Sequence, residues 1–301
     1  MPSVKDLRER IRSLKNTQQI TKAMKQVAAA KIRRAEQAQK EARPYADTLA
    51  EMLRDLMAAV SSVDHPFMKP GSAGAPVGVI LMTADKGLAG AFNSNVIRAG
   101  EIFAREQKNN VEWYTVGIKA RNAVRRMGKI DRPTWPVNAP SKLDVARDVA
   151  KRVTDDFVDG KISEIVLISS KLVSMMSQKP ETRKMVPIER AALTIADAAQ
   201  GAGPHGDGDT GKPKGTVEFS PSPEFVLSRL LPKYLEFTIF SAILETDAAF
   251  FAAQLLAMNN ATDNAGKLID ELTIQMNNAR QAAITKELLE IVGGAEALVN
   301  G

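Results

Sequence analysis

Few residues in this chain are of types and spacings suited to chemistry. The best placed are Asp85-Lys86-Gly87-Leu88-Ala89-Gly90, which follow an apolar run and precede a helical pattern. That is where an α/β protein cradles phosphate on free backbone N–H groups. The run has neither the Gly-x-Gly-x-x-Gly spacing nor the eight-residue P-loop form, so a tight strand-to-helix turn is the preferred account of its glycines. Gly211-Lys212-Pro213-Lys214-Gly215-Thr216 lacks a Ser or Thr after Lys212 and fails as a phosphate loop. Asp155 with Asp156, and Glu287 with Glu290, come nearest to paired carboxylates. The first pair points to different helix faces and the second shares an exposed one, so both read as solvated charge. His65 and His205 are far apart and there is no cysteine, which leaves little material for a metal site, a thiolate nucleophile or a Ser-His-Asp triad. No catalytic, cofactor-binding or metal-ligating residue is expected.

The elements that would have to position any site are more legible. From Val4 to about Val60 runs one helical pattern, with Leu7, Ile11 and Leu14, then Ile20, Met24 and Val27, then Ile32 and Ala35. Between Lys31 and Ala46 its apolar residues are almost all Ala, enough to pair closely with one helix but too narrow to anchor a wide core. Pro44 is expected to kink the helix or mark a junction. Near the other end Met258, Ala261, Ala265, Leu268, Leu272, Met276, Ala279 and Ala283 follow three-and-four spacing, interrupted only by Gly266. A helix from about Pro223 to about Val292 would be ~100 Å long at 1.5 Å per residue. Two narrow-faced helices at opposite chain ends satisfy one another by pairing, antiparallel if the chain between them folds compactly. The expected seam includes Ile20, Val27, Ala261, Ala265, Leu268, Leu272, Met276 and Ala279.

Between the helices lies an alternating segment. Val77 to Thr83, Val111 to Val116 and Ile162 to Ser169 read as strands; Ala91 to Gln107, Lys119 to Met127 and Leu143 to Val158 read as helices. The right-handed crossover rule then predicts a small doubly wound α/β domain. The expected fold is thus α/β plus a long antiparallel coiled coil, the terminal helices pairing as a protruding hairpin. The expected divisions are an N-terminal helix over 1–60, the α/β domain over 77–190, a mobile loop over 191–222 and a C-terminal helix over 223–301.

Composition agrees with this plan. At 44% hydrophobic and 25% charged residues the chain can fold, and aromatics at only 5% with abundant Ala favour long close-packed helices. Net charge is +6, but Met1 to Arg43 holds 12 Lys or Arg against 4 Asp or Glu. Acids are interspersed there, so a solvated helix face is preferred to a nucleic-acid arm. The amino terminus has no signal-peptide pattern, and no cleaved leader is expected. No run is expected to cross a bilayer, because the richest stretch, Phe237 to Leu256, is interrupted by Glu245, Asp247 and Gln254.

Two terminal motifs carry a resemblance. Asn16-Thr17-Gln18-Gln19-Ile20-Thr21-Lys22-Ala23-Met24-Lys25-Gln26-Val27-Ala28-Ala29-Ala30-Lys31 and Ala279-Arg280-Gln281-Ala282-Ala283-Ile284-Thr285-Lys286-Glu287-Leu288-Leu289-Glu290-Ile291-Val292-Gly293-Gly294-Ala295 both resemble ATP synthase gamma subunits of bacterial type. They stand in the right order and about the right distance apart, and Thr262-Asp263-Asn264 adds a third familiar segment. Met82 to Asn93 looks like the family's turn after its first strand, although Ala84, Lys86, Ala89 and Ala91 stand where the family more often has Ser, Arg, Cys and Gly. Gln254 stands where an Arg is common.

The resemblance implies a central rotary shaft with no catalysis of its own. It implies a hairpin in the bore of a hexameric alpha-beta head, and an α/β domain set on the epsilon subunit and the membrane ring of subunit c. ATP, ADP and magnesium would be bound by alpha and beta, and no cofactor by this chain. Ion flow would turn the shaft at the cytoplasmic face of the bacterial membrane, as a peripheral part of the complex, and each beta subunit would pass through states of different nucleotide affinity. Arg280, Gln281 and Thr285, with Met24 and Lys25, are the implied contacts with beta. Two other readings make different demands: a nucleotide-binding α/β enzyme needs ligand at Gly87 to Gly90, and a coiled-coil nucleic-acid scaffold needs steeply salt-dependent binding through the first helix.

Overall fold

A computed structural model describes residues 3–59, 65–108, 110–128, 133–188, 220 and 222–299. The chain divides into two compact units, Met1–Ala30 with Gln254–Gly301, and Lys31–Ala253. The expected loop over 191–222, with His205 and the Gly211 to Thr216 run, lies almost wholly outside the described residues. The elements are α1 (Val4–Ala59), a 3-10 turn (Pro66–Met68), β1 (Val77–Met82), α2 (Phe92–Glu106), β2 (Val111–Val116), α3 (Ile118–Arg126), α4 (Lys142–Val158), β3 (Glu164–Ser174), β4 (Ser177–Val186) and α5 (Pro223–Val299). Pro44 does not break α1. Pro44 and Lys40, whose carbonyl loses its helical donor to the proline, are both exposed, so water can satisfy the group.

Sheet order is β2-β1-β3-β4, with β1 parallel to both neighbours and β4 antiparallel to β3. The three strands expected from the sequence are mutually parallel, and the antiparallel edge strand β4 adds to them. β4 reads Ser-Gln-Lys-Pro-Glu-Thr-Arg-Lys-Met-Val, polar because it is an edge strand, where Pro180 need not donate on its free side. Alternation sorts the other strands onto two cores. Ile80, Met82, Tyr114, Ile165 and Leu167 pack with the end of α1, α4 and the start of α5; Val79, Leu81, Trp113, Val166 and Ile168 pack with α2 and α3. Both faces are covered, which is why β1 is buried at all six positions.

Inward positions of α1 recur with a seven-residue period: Leu7, Leu14, Thr21, Ala28, Ala35, Ala42, Leu49 and Leu56, interleaved with Ile11, Gln18, Ile32, Ala46 and Leu53. Within the larger unit α1 offers small residues and α5 large ones. Lys31 lies over the Phe251 ring at 4.9 Å, and Tyr45 meets Phe237 at 5.0 Å. Within the smaller unit, Gln18 Nε2 donates to the Thr262 carbonyl (3.4 Å), Thr262 Oγ1 to Thr21 Oγ1 (2.8 Å) and Lys25 Nζ to Asn259 Oδ1 (2.5 Å). Rising numbers on α1 meet falling numbers on α5, so the pair is antiparallel.

The expected seam is corrected here. Ile20 and Val27 are 60% and 55% exposed, and Leu268 is 47% exposed, while Thr21, Ala28 and Ile269 are buried in their place. Ala265 is buried, and Ala261, Leu272, Met276 and Ala279 are half-buried. Gly266 answers to the same polar layer, since a Cβ there would come within 3.1 Å of Gln18 Nε2. The membrane expectation also changes on composition: α5 holds an 18-residue window with mean hydropathy 1.4, apolar enough to cross a bilayer, but 67% of that window is buried inside the chain.

Asp156 is not solvated charge. It is 1% exposed, accepts from Tyr114 Oη (2.8 Å) and is paired with Arg152 Nε (3.1 Å) and Lys161 Nζ (3.2 Å). Burial pushes its pKa up, but the hydrogen bonds from Tyr114 and Lys161 and the charges of Arg152 and Lys161 outweigh this and hold it below the ordinary 3.8. Glu245 is the opposite case. Burial raises it above the ordinary 4.5, with Glu181 adding, against the Leu172 N–H it accepts (3.3 Å) and the charges of Lys171 and Arg183.

Two stability measurements follow from these carboxylates. Asp156→Ala removes the buried acceptor of the Tyr114 hydroxyl and one carboxylate from Arg152 and Lys161, and should lower unfolding free energy by about 2 to 3 kcal/mol at neutral pH in urea titrations. A depressed pKa stabilises above the unfolded value, so the deficit should shrink as pH falls below 3.8; a constant deficit would mean that charge is not the cause. Glu245→Gln keeps an acceptor for Leu172 and removes a proton equilibrium that weakens the fold as pH rises above 4.5. It should melt higher than the parent at pH 7 and alike below 4.5, and a lower melting point at pH 7 would show that the ionised form is needed.

Candidate partner interface

The turn after β1 lies at the carboxyl ends of the parallel strands, where a doubly wound sheet takes ligands. Here the chain fills that place itself. Asp85 Oδ1 accepts from the N–H of Ile118, the first residue of α3 (3.1 Å), and its Oδ2 from Asn138 N–H (2.8 Å). Asn93 Oδ1 takes the Ala84 N–H (3.0 Å) and its Nδ2 donates to the Lys86 carbonyl (3.1 Å). The N–H groups of Ala84, Ile118 and Asn138 are thus met by side-chain oxygens and an anion at the α3 amino terminus is supplied in cis, while α2 opens without a side-chain cap. Gly90 at φ 57° and Leu88 at φ 62° make the reversal into α2, which is the turn the glycines were expected to serve. Lys142, which opens α4, pairs with Asp247 of α5, and Glu245 takes the Leu172 N–H. Among the described residues no three His, Cys, Asp or Glu gather as a metal site.

His65 is a capping residue, accepting the Phe67 N–H at 3.1 Å, with its pKa lowered by burial. Glu287 and Glu290 are both exposed, and Glu290 pairs with Lys286 at 3.6 Å.

What the smaller unit presents is surface of an unusual kind. Ile20, Met24 and Val27 are spaced by four and three along one outward stripe of α1, with Met24 half-buried beside the seam. Lys25 is committed to Asn259, which in turn donates to Asp263 (3.1 Å). On α5, Arg280, Gln281 and Thr285 are exposed, and Thr285 Oγ1 donates back to the Gln281 carbonyl at 2.9 Å. Beyond them every described side chain through Gly293 is exposed, including Ile284, Leu288, Leu289, Ile291 and Val292. Level with the start of α1 on the antiparallel register lies the half-buried part of α5 near Met276, and beyond it no mate for α5 is found among the described residues. A helix with apolar residues at 284, 288 and 291 facing water is a surface made for another chain. The sequence carried that signal as an apolar period running past the start of its partner helix.

The family model described as ATP synthase matches residues 3–298. The chain is 41% identical to the ATP synthase gamma chain of Heliobacterium modesticaldum, over 99% of this chain and 100% of that one. It is 42% identical, with the same coverage, to the ATP synthase gamma chain of Pelotomaculum thermopropionicum. Among solved structures it is similar in fold to a chain of the Euglena gracilis mitochondrial ATP synthase, with a TM-score of 0.65 at 18% identity, over 98% of this chain and 94% of that one. It is similar also to a chain of the Tetrahymena thermophila mitochondrial ATP synthase, in a structure of the central stalk and ring, with a TM-score of 0.58 at 21% identity, over 80% and 99%. Matched end to end at about 40% identity and by a family model over nearly its whole length, the chain belongs to the ATP synthase gamma chain family.

Proposed function

We propose that this chain turns as the central shaft of a proton-driven ATP synthase, a coupling part whose chemistry is done by its partners. The observation that carries this is the end of α5, an exposed helix without a mate among the described residues that bears apolar and hydrogen-bonding residues together, while Asp85 sits at the carboxyl ends of the parallel strands bonded to Ile118 and Asn138. Arg280, Gln281 and Thr285 on α5, with Met24 and the Ile20–Val27 stripe on α1, are the surfaces offered to the beta subunits. Arg280 supplies a planar donor fork suited to a carboxylate or carbonyl anchor. Lys25, held by Asn259, serves there by setting the α1 surface. Different faces of the turning pair meet each beta subunit in turn, and beta conformers that fit a given face better are populated at its approach. ATP, ADP and magnesium stay on alpha and beta. Epsilon and the ring of subunit c hold the larger unit at the cytoplasmic face of the membrane.

Reconstitution with cognate alpha and beta subunits tests this directly. Co-purification, with ATPase turnover that depends on the chain, is the expected result; alpha and beta that ignore it, together with nucleotide bound at the Gly87 turn, would replace the shaft by the enzyme reading. Truncation after Thr285 removes only exposed described side chains, so the lone chain should melt as before while coupled torque falls. Ile20→Asp with Val27→Asp should shift the lone chain's stability by no more than about 0.5 kcal/mol each, as surface changes do. The same pair should weaken assembly roughly tenfold, as loss of apolar anchors does. Unchanged assembly would remove the α1 stripe from the interface.

A further inference from the structure

The hairpin of β3 and β4 carries a feature that neither its own fold nor the helix surfaces account for. β3 pairs with β1 only as far as Ile168, then continues to Ser174 as a two-stranded ribbon with β4. The ribbon is braced. Leu172 N–H donates to Glu245 of α5 (3.3 Å), and Glu181 is paired with Arg183 (3.3 Å) and Lys171 (3.7 Å). The turn is braced too, with Met176 N–H donating to Ser174 Oγ (3.3 Å) and Gln178 Nε2 donating to the carbonyls of Ser174 (3.3 Å) and Met175 (3.1 Å). On this fixed mount sit Val173, Met175 and Met176, the last 76% exposed and all three facing water.

Local preference does not put them there. Tight turns select Gly, Asn, Asp, Pro or Ser for backbone or solvation reasons that methionine cannot supply. The backbone at Met175 and Met176 has no positive φ, and the ladder slips register between Leu172 and Ser174, a bulge that re-aims Val173. A braced element that breaks the turn preference and displays unbranched apolar side chains is built for contact, and methionine suits a surface that must adapt to its partner. Around the tip, residues 171–184 hold Lys171, Lys179, Arg183 and Lys184 against Glu181, which Lys171 and Arg183 share; Lys184 pairs with Glu164 (2.9 Å), and Lys179 is exposed beside the tip. The ribbon has no Trp or Tyr, the residues that favour a lipid interface, so the charge complement sought is a protein's.

We propose that the β3–β4 tip, Val173, Met175 and Met176 with Lys171 and Lys179 beside them, docks on an acidic, partly apolar protein surface within the assembled complex. This rests on the shaft reading. Because α5 grips the ribbon through Glu245, a push on the tip is delivered to that helix within the same unit.

The chain has no cysteine, so Met176→Cys can be labelled alone with a photoreactive benzophenone before reconstitution with the other subunits. The expected adduct is to a peptide of another subunit rich in Asp and Glu. Met175→Asp with Met176→Asp should leave the lone chain's melting curve in place and weaken assembly or coupled turnover roughly tenfold, as loss of an apolar anchor does, while Met175→Leu with Met176→Leu restores it. Lys171→Gln with Lys179→Gln should flatten the salt dependence of assembly. A complex that assembles normally but yields adducts only to lipid, or none, with the Asp pair behaving as parent, would overturn the proposal. Failure of the unaltered chain to assemble at all would overturn the shaft reading instead.

Discussion

A helix whose apolar stripe is one or two residues wide cannot bury that stripe alone, and both ends of this chain are such helices. Everything else follows from their having to face each other. The seven-residue recurrence of inward positions on α1 lets one side of a long helix stay against one neighbour. Antiparallel pairing then brings the two chain ends together in the smaller unit. In the larger unit the same stripe widens to Leu49, Leu53, Leu56 and Met57, and the helix becomes part of a domain core with α4 and α5. Within the larger unit the Ala-rich stretch of α1 brings Lys31 over the Phe251 ring, so close approach replaces bulk there.

Polar residues inside such a seam cost stability, so their arrangement matters. Gln18, Thr21 and Thr262 satisfy one another and a backbone carbonyl, and Gly266 makes room for the amide. A satisfied polar layer fits only a few registers, whereas an all-apolar seam tolerates many. In the α/β domain the equivalent role falls to charge. Asp156 ties α4 to β2 through Tyr114, and Asp247 and Glu245 tie α5 to α4 and β3. Asp156 and Asp247 are buried carboxylates given cationic donors, the condition under which such groups hold elements in place, whereas Glu245 links its elements through one N–H while burial works against its ionised form.

The strands β1 and β2 and the helices α2 to α4 were legible because each is covered on a face and its apolar residues say so. β4 was not, since an edge strand with Lys179, Pro180 and Thr182 exposed has the composition of a loop. The seam was misread in phase. Ile20 and Val27 are more apolar than the Thr21 and Ala28 buried in their place, and hydrophobic periodicity assumes that a chain buries its apolar residues in itself. That assumption fails wherever a surface is kept for another chain. Asp156 was unreadable for a different reason: its acceptor role depends on Tyr114, 42 residues away in sequence.

The same failure of phase is informative when turned around. Apolar residues that a periodic reading would place inside, and that the fold leaves outside, recur at Ile20 and Val27 on α1, at Ile284 to Val292 on α5 and at the β3–β4 tip. Meanwhile the crevice that a doubly wound sheet normally keeps for a cofactor is occupied by Asp85 and Asn93. Exposed apolar surface is a resource by which a protein engages something else, and the described residues keep it at these three places. The domain is therefore best understood as a mount: its sheet fixes α1, α5 and one braced ribbon, and what these present to their surroundings is shape and charge.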